Sequence, residues 1–207
     1  MLWIITGTFI SYLLGSIPTA YIFGRLIKGV DIRKFGSGNV GATNAIRVLG
    51  KPAGISVLLL DILKGFAAVS FLGDIIVPRA PGTTETVLRL ILGFSCIAGH
   101  NWTIFLGFKG GKGVATTLGV LLGLAVDIPG IKMVFAMMIL TWLIVFAAAR
   151  IVSLASIIST AALPLYMFLF KQPPVLIYSS ILLCVFIILR HKSNLKRLMD
   201  GKETRLK

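Results

Sequence analysis

The chain has 207 residues, 57% of them hydrophobic and 14% charged, with a mean hydropathy of +0.95; a soluble domain carries about a quarter charged residues. Lys and Arg number 21 against 7 Asp and Glu, a net charge of +14. In a soluble chain that excess would point to nucleic acid, but long apolar runs exclude this partner and define an integral membrane protein. At about 20 residues per span, seven helices use roughly two thirds of the chain. Residues 1–207 are therefore expected to form a single polytopic membrane domain, with any activity in the helices and their connections.

The first span is predicted from Leu2 to Ile27, kinked at Pro18. No charge precedes Arg25, whereas a cleaved signal peptide has basic residues ahead of its apolar stretch, so this helix is read as retained. A second span runs from Pro52 to Leu72 and a third from Thr86 to Leu106. Val114 to Val126 forms a short fourth span, closed by a turn at Asp127-Ile-Pro-Gly130. The apolar stretch from Ile131 to Phe170 is twice a span's length and is divided by Arg150, which predicts two helices, the second bent at Pro164. The last span, Pro174 to Leu189, runs into a basic tail from Arg190 to Lys207. Cys96 and Cys184 lie within apolar segments and are read as packing residues.

Charge distribution orients this bundle. Seven spans with the amino terminus outside and the carboxyl terminus cytoplasmic place 16 of the 21 Lys and Arg on the cytoplasmic side, as the positive-inside rule requires. Arg79, Arg89, Lys132 and Lys171 fall outside, and Lys64 lies within the second span. Most of these cations hold orientation and meet anionic lipid head groups. Asp61 and Lys64 stand one helical turn apart, a pair expected to support the bundle or, with Lys64 shallower, to reach a site.

Three polar segments, 31–51, 99–117 and 190–203, share the predicted cytoplasmic face. In the first, Gly36-Ser-Gly38-Asn39-Val-Gly41-Ala-Thr43-Asn44 followed by Arg47 sets closely spaced backbone N–H groups and small donors beside a bidentate cation. That combination suits a phosphate or a carboxylate. In the second, Gly107-Phe-Lys109-Gly110-Gly111-Lys112-Gly113 differs from a P-loop, having three residues rather than four before Gly-Lys and glycine rather than Ser or Thr after it. Lysines on glycine hinges ahead of a helix amino terminus nonetheless make an anion site, a reading that fits Lys112 better than Lys109. In the third, His191 and Asn194 share one face if the last helix continues, and His191 and Glu203 exceed what a basic anchor needs.

With histidine only at 100 and 191 and no cluster at metal-ligand spacing, metal hydrolysis and thiol catalysis are not expected. No metal or cofactor is predicted. The His and Asp separated by four residues that soluble glycerolipid acyltransferases use are absent, since Phe105 and Lys196 occupy the relevant positions. The remaining inventory suits dianionic substrates and a reaction with a good leaving group, driven by preorganised donors. A transporter for phosphorylated metabolites would also need anion loops, but transporters place their sites between repeated halves near the midplane. Here there is no internal repeat, and the motifs lie at one face.

Gly36 to Asn44 with Arg47, Gly99-His100 leading to Phe108 to Thr116, and His191, Asn194, Arg197, Gly201 and Glu203 resemble the three motifs of the bacterial membrane acyl-phosphate:glycerol-3-phosphate acyltransferases, the PlsY type. Thr103 departs from the proline common there. The resemblance implies transfer of a fatty acyl group from acyl phosphate to the 1-hydroxyl of sn-glycerol 3-phosphate, giving lysophosphatidic acid and phosphate at the first step of phospholipid synthesis. It also implies a bacterial inner-membrane location and a place downstream of an acyl-carrier-protein-to-phosphate acyltransferase. Expected catalytic residues are Ser37, Arg47, Lys112 and His191. Substrate binding is expected from Gly36, Gly38, Asn39, Gly41, Thr43 and Asn44 in the first motif. His100, Lys109, Gly110, Gly111, Gly113 and Thr116 are expected to bind from the second, and Asn194 and Glu203 from the third. Either His191 or a substrate phosphate oxygen takes the proton of the attacking hydroxyl.

Overall fold

The computed structural model describes residues 1–206, which are helical throughout apart from turns and loops. The chain forms two compact units, Met1–Leu124 and Ala125–Lys207. The first contains α1 (Leu2–Ser16), α2 (Thr19–Lys28), α3 (Ala42–Leu49), α4 (Lys51–Val69), α5 (Phe71–Ile76), α6 (Glu85–Asn101) and most of α7 (Val114–Asp127). The second contains α8 (Ile131–Ala149), α9 (Val152–Leu169), α10 (Pro174–Arg190) and α11 (Lys192–Met199).

Apolar side chains gain little by leaving lipid for a helix interface, so close backbone approach and interhelical hydrogen bonds must hold the bundle. Small residues supply both in the first unit. A Cβ added to Gly15 would overlap the Cys96 carbonyl, and one on Gly99 would overlap that of Tyr12. Across the same α1–α6 seam Ser11 Oγ donates to Leu92 O at 2.5 Å, Ser95 Oγ to Thr8 O at 2.7 Å, and Tyr12 Oη to Trp102 O at 2.7 Å. Gly65 and Gly119 bring α4 and α7 together in the same way, against Thr116 O and Ile62 O. By contrast α8 turns Met133, Leu140, Leu143 and Ile144 outward, as a lipid-facing helix does.

Breaks in the helices leave carbonyls that must find donors. Pro18 ends the first apolar run as a break between α1 and α2. The carbonyls stranded there are met by Thr103 Oγ1, 2.5 Å from Ser16 O, and by Lys64 Nζ, 3.1 Å from Ile17 O. At the α4–α5 break the buried Arg89 donates to Val69 O at 2.6 Å, and the same guanidinium meets Glu85 and Asp74.

Five segments are long and apolar enough to cross a membrane: 2–28, 51–79, 85–106, 131–149 and 152–169. α10 with α11 makes a sixth if that pair, bent by 63°, counts as one span. The condition under which His191 and Asn194 would share one face, a last helix that continues, is not met: the bend falls at His191. α7, with 14 residues, is about 21 Å long at 1.5 Å per residue, and most of its side chains are covered by protein. Turns occur where expected at 128–130 and at Arg150, whose φ is +56°. Pro164 lies inside α9 without ending it.

Candidate functional site

In the first unit the Gly36–Gly41 loop is organised from within. Gly36 and Gly38 take φ of +59° and +71°, left-handed values that favour glycine. The amide of Asn44, at the start of α3, reaches back under the loop. Its Nδ2 donates to Ile32 O at 3.2 Å and Phe35 O at 3.1 Å, while its Oδ1 accepts the Ser37 N–H at 2.8 Å. A side chain at Gly36 would occupy the place of that Oδ1. Asn44 is buried and its polar atoms serve the loop, whereas Gly36, Ser37 and Gly38 are exposed above it. Asn39, Gly41 and Thr43 are half-buried, with Gly41 capping α3, and Arg47 stands exposed in that helix's last turn. Arg33 is engaged differently. Its guanidinium grips Asp31 at 2.7 Å, which holds that carboxyl down at about 2, and it lies over the Tyr21 ring.

The second loop folds back on the end of α6. Gly110 N–H donates to Asn101 O at 3.1 Å and Gly111 N–H to His100 O at 2.9 Å, so these two donors cap α6. Phe108, at φ +62°, donates its N–H to Thr103 O at 2.9 Å, and the Thr103 hydroxyl accepts from Phe105 N at 3.3 Å. Threonine here thus ties the loop both to itself and to the α1 break. Lys109 is exposed; Lys112 is half-buried between the buried Gly111 and Gly113, the latter at φ +83°. Thr116 and Asn101, both 0% exposed, have side-chain polar atoms without a hydrogen-bond partner among the described residues, and Gly113 packs on the Asn101 amide. Leaving such groups without a partner costs about 1–3 kcal/mol each. Asn101 is the residue that motif reasoning passed over.

His100 is buried beneath this loop, its Nδ1 2.9 Å from Lys64 Nζ and its Nε2 against Gly111. Lys64 in turn pairs with Asp61 at 2.7 Å, and Thr19 Oγ1 donates to the same carboxylate oxygen at 2.8 Å. The intramembrane pair of the sequence therefore lies next to a motif residue 36 positions away.

In the second unit His191 joins α10 to α11 and is buried, with Nδ1 2.8 Å from Ile187 O. A carbonyl only accepts, so Nδ1 carries a hydrogen, and in the neutral ring the lone pair is then on Nε2. Glu203 gathers three donors: Ser153 Oγ at 2.7 Å, Asn194 Nδ2 at 2.5 Å and Arg197 Nε at 2.6 Å. Burial opposes its charge, but the hydrogen bonds from Arg197, Ser153 and Asn194 prevail and hold its carboxyl below the usual range. Gly201, at φ +65°, turns the tail so that Glu203 can return to Ser153.

Apolar spans bearing glycine-hinged cationic loops at helix ends define a multi-pass membrane protein that handles anionic substrates. A family model described as glycerol-3-phosphate acyltransferase matches residues 5–201. The glycerol-3-phosphate acyltransferase of Geobacter sulfurreducens is 41% identical over 97% of this chain and 96% of its own length. That of Thermosynechococcus vestitus is 43% identical over 95% and 92%, respectively. Among solved structures, the glycerol 3-phosphate form of PlsY (YgiH), an integral membrane glycerol 3-phosphate acyltransferase, superposes with a TM-score of 0.86 at 38% identity. It covers 99% of this chain and 96% of the other. The lysophosphatidic acid form gives 0.83 at 37% identity, covering 99% and 95%. The chain belongs to the glycerol-3-phosphate acyltransferase family and is an acyltransferase of phospholipid synthesis, which sets the transporter reading aside.

Proposed function

We propose that the donor is acyl phosphate and that the acyl group goes to the 1-hydroxyl of sn-glycerol 3-phosphate. The hydroxyl oxygen attacks the acyl carbonyl carbon, the bond from that carbon to the phosphate oxygen breaks, and lysophosphatidic acid and inorganic phosphate are released. Such a mixed anhydride has a good leaving group, so the protein's task is to hold two anions and stabilise an oxyanion. The observation that carries this reading is the start of α7, where the half-buried Lys112 adjoins Gly113 near the unpartnered side chains of Asn101 and Thr116. Lys112 and Thr116 serve the donor head, as do Ser37 and the exposed Gly36–Gly38 turn. Arg47, Lys109, His191 and Asn194 serve glycerol 3-phosphate, and His191 Nε2 takes the hydroxyl proton. Asn44 and Glu203 act by shaping their segments, as their hydrogen bonds indicate.

Counting α7 and the bent α10–α11 pair as spans gives seven, with the amino terminus outside, the carboxyl terminus cytoplasmic and the loops facing the cytoplasm. The 16 Lys and Arg on that side support this orientation in a bacterial inner membrane. The protein then works downstream of an enzyme that moves acyl groups from acyl-carrier protein to phosphate. Purified protein in detergent, given palmitoyl phosphate and labelled glycerol 3-phosphate, is expected to form labelled lysolipid, with palmitoyl-CoA and palmitoyl-carrier protein inert. Activity with either thioester and none with palmitoyl phosphate overturns the donor assignment.

A further inference from the structure

The ammonium of Lys64 has three hydrogens and three acceptors around it: Asp61 Oδ1 at 2.7 Å, Ile17 O at 3.1 Å and His100 Nδ1 at 2.9 Å. A lysine ammonium donates and never accepts. In the neutral ring His100 Nδ1 is therefore the acceptor and the hydrogen is on Nε2; the same Nδ1 also lies 3.6 Å from Asp61 Oδ1, but a protonated ring would set an N–H against the ammonium. That Nε2 faces Gly111 so closely that a Cβ there would overlap the ring. The same residue is attached through its backbone, since the Gly111 N–H donates to His100 O. Ring and carbonyl of His100 thus fix one residue of the loop, immediately before Lys112.

Stability alone does not account for two charges in this place. Asp61 and Lys64 are 1% and 6% exposed, and Asp61 Oδ2 has no hydrogen-bond partner among the described residues. Replacing a buried ion pair by apolar side chains of similar size is commonly neutral or stabilising, and a charge within a span is expensive. We infer that the Asp61–Lys64 pair is a positioning device that holds His100 in its Nε2–H tautomer and, through that ring, sets the Gly110–Lys112 turn for acyl transfer. Asp61 and Thr19 anchor Lys64, which acts on the loop only through His100. The inference rests on the reading of the Lys112 loop as part of the acyl-phosphate site.

The test compares full-length wild type, Lys64→Met and Asp61→Leu/Lys64→Met in detergent, with palmitoyl phosphate and glycerol 3-phosphate as substrates. Lys64→Met leaves Asp61 buried alone and is expected to lose melting temperature as well as activity. The double variant removes both charges. It is expected to recover the melting temperature while kcat/KM for palmitoyl phosphate stays at least tenfold down. Nitrogen-15 histidine spectra, with His191→Gln used for assignment, are expected to show His100 of the wild type protonated at Nε2 alone, and a mixture of tautomers in the double variant. Wild-type kcat/KM in the double variant, or a wild-type His100 protonated at Nδ1, overturns the inference. Lys112→Ala separates it from the reading beneath it: unchanged kcat/KM there removes the loop from catalysis, whereas the tautomer result stands by itself.

Discussion

The two histidines of the chain are buried to similar degrees, 8% and 3% exposed, yet their neighbours fix opposite tautomers. Against His100 Nδ1 stands a cation, Lys64 Nζ; against His191 Nδ1 stands a helix carbonyl, Ile187 O. The first ring must accept there and keeps its hydrogen on Nε2. The second must donate there, so in the neutral ring its lone pair lies on Nε2. Residue type and burial are thus shared, and the atom facing each Nδ1 determines which ring nitrogen carries the hydrogen. Sequence position alone, with each histidine inside a polar motif, does not distinguish them.

The largest expected effect tests the second member of this pair. His191→Ala is expected to lower kcat by about 10²- to 10⁴-fold, the usual contribution of a positioned general base, with KM for glycerol 3-phosphate changing less. If kcat holds and KM rises instead, His191 binds and a phosphate oxygen takes the proton. Next comes Gly111→Ala, which forces a methyl group onto the His100 ring. A loss of about 10- to 100-fold in kcat/KM, or ~1.4–2.7 kcal/mol, is expected, with normal assembly in the membrane; wild-type kinetics would detach His100 from the active loop.

A smaller effect is expected around the segment that follows His191. The carboxyl of Glu203 is lowered in the folded chain, so its contribution is present above the unfolded pKa and is lost as pH falls through the folded one. The melting temperature of the wild type should fall by a few degrees as pH drops below about 4.3, the ordinary Glu value, and Glu203→Gln should lack that component. A Glu203→Gln profile identical to the wild type would remove Glu203 as the anchor of Asn194. Smallest is Asp74→Asn. Asp74 is a 64% exposed partner of Arg89, and exposed ion pairs contribute about 0–1 kcal/mol. Stability should move by no more than that and kcat should be unchanged; an activity loss would mean that the Arg89 knot also bears on the site.

Much of the fold follows from patterns that are local. The break at Pro18, the turn at Arg150 and the ends of most apolar helices lie where composition changes or where a charge interrupts a lipid-facing run. Long-range partners are another matter. The spacing of Asp61 and Lys64 shows a pair, but nothing in it shows His100 as the third member. Asn44 and Gly110 stand in the sequence as donors for a substrate. The amide of Asn44 instead supports the loop's own backbone, and the Gly110 N–H caps α6, because backbone groups in such tight turns must first satisfy one another. The bend at His191 has no proline or glycine to mark it, and Ser153, which meets Glu203, lies 50 positions away in a helix that also carries Ser156, Ser159 and Thr160. Thr103 departs from a family pattern, but its bond to Ser16 O, 87 positions away, depends on the packing of distant segments.

The shortness of α7 has a consequence for the membrane itself. At about 21 Å it falls some 9 Å short of a hydrocarbon core of about 30 Å. Hydrophobic mismatch of that size is relieved by thinning the bilayer or by drawing polar residues beneath the head groups. As a span, α7 therefore ties the depth of Lys112 to bilayer thickness rather than to the polarity of the loop. Bilayer thickness, and with it lipid composition, then bears on the level at which the glycine-hinged lysine stands.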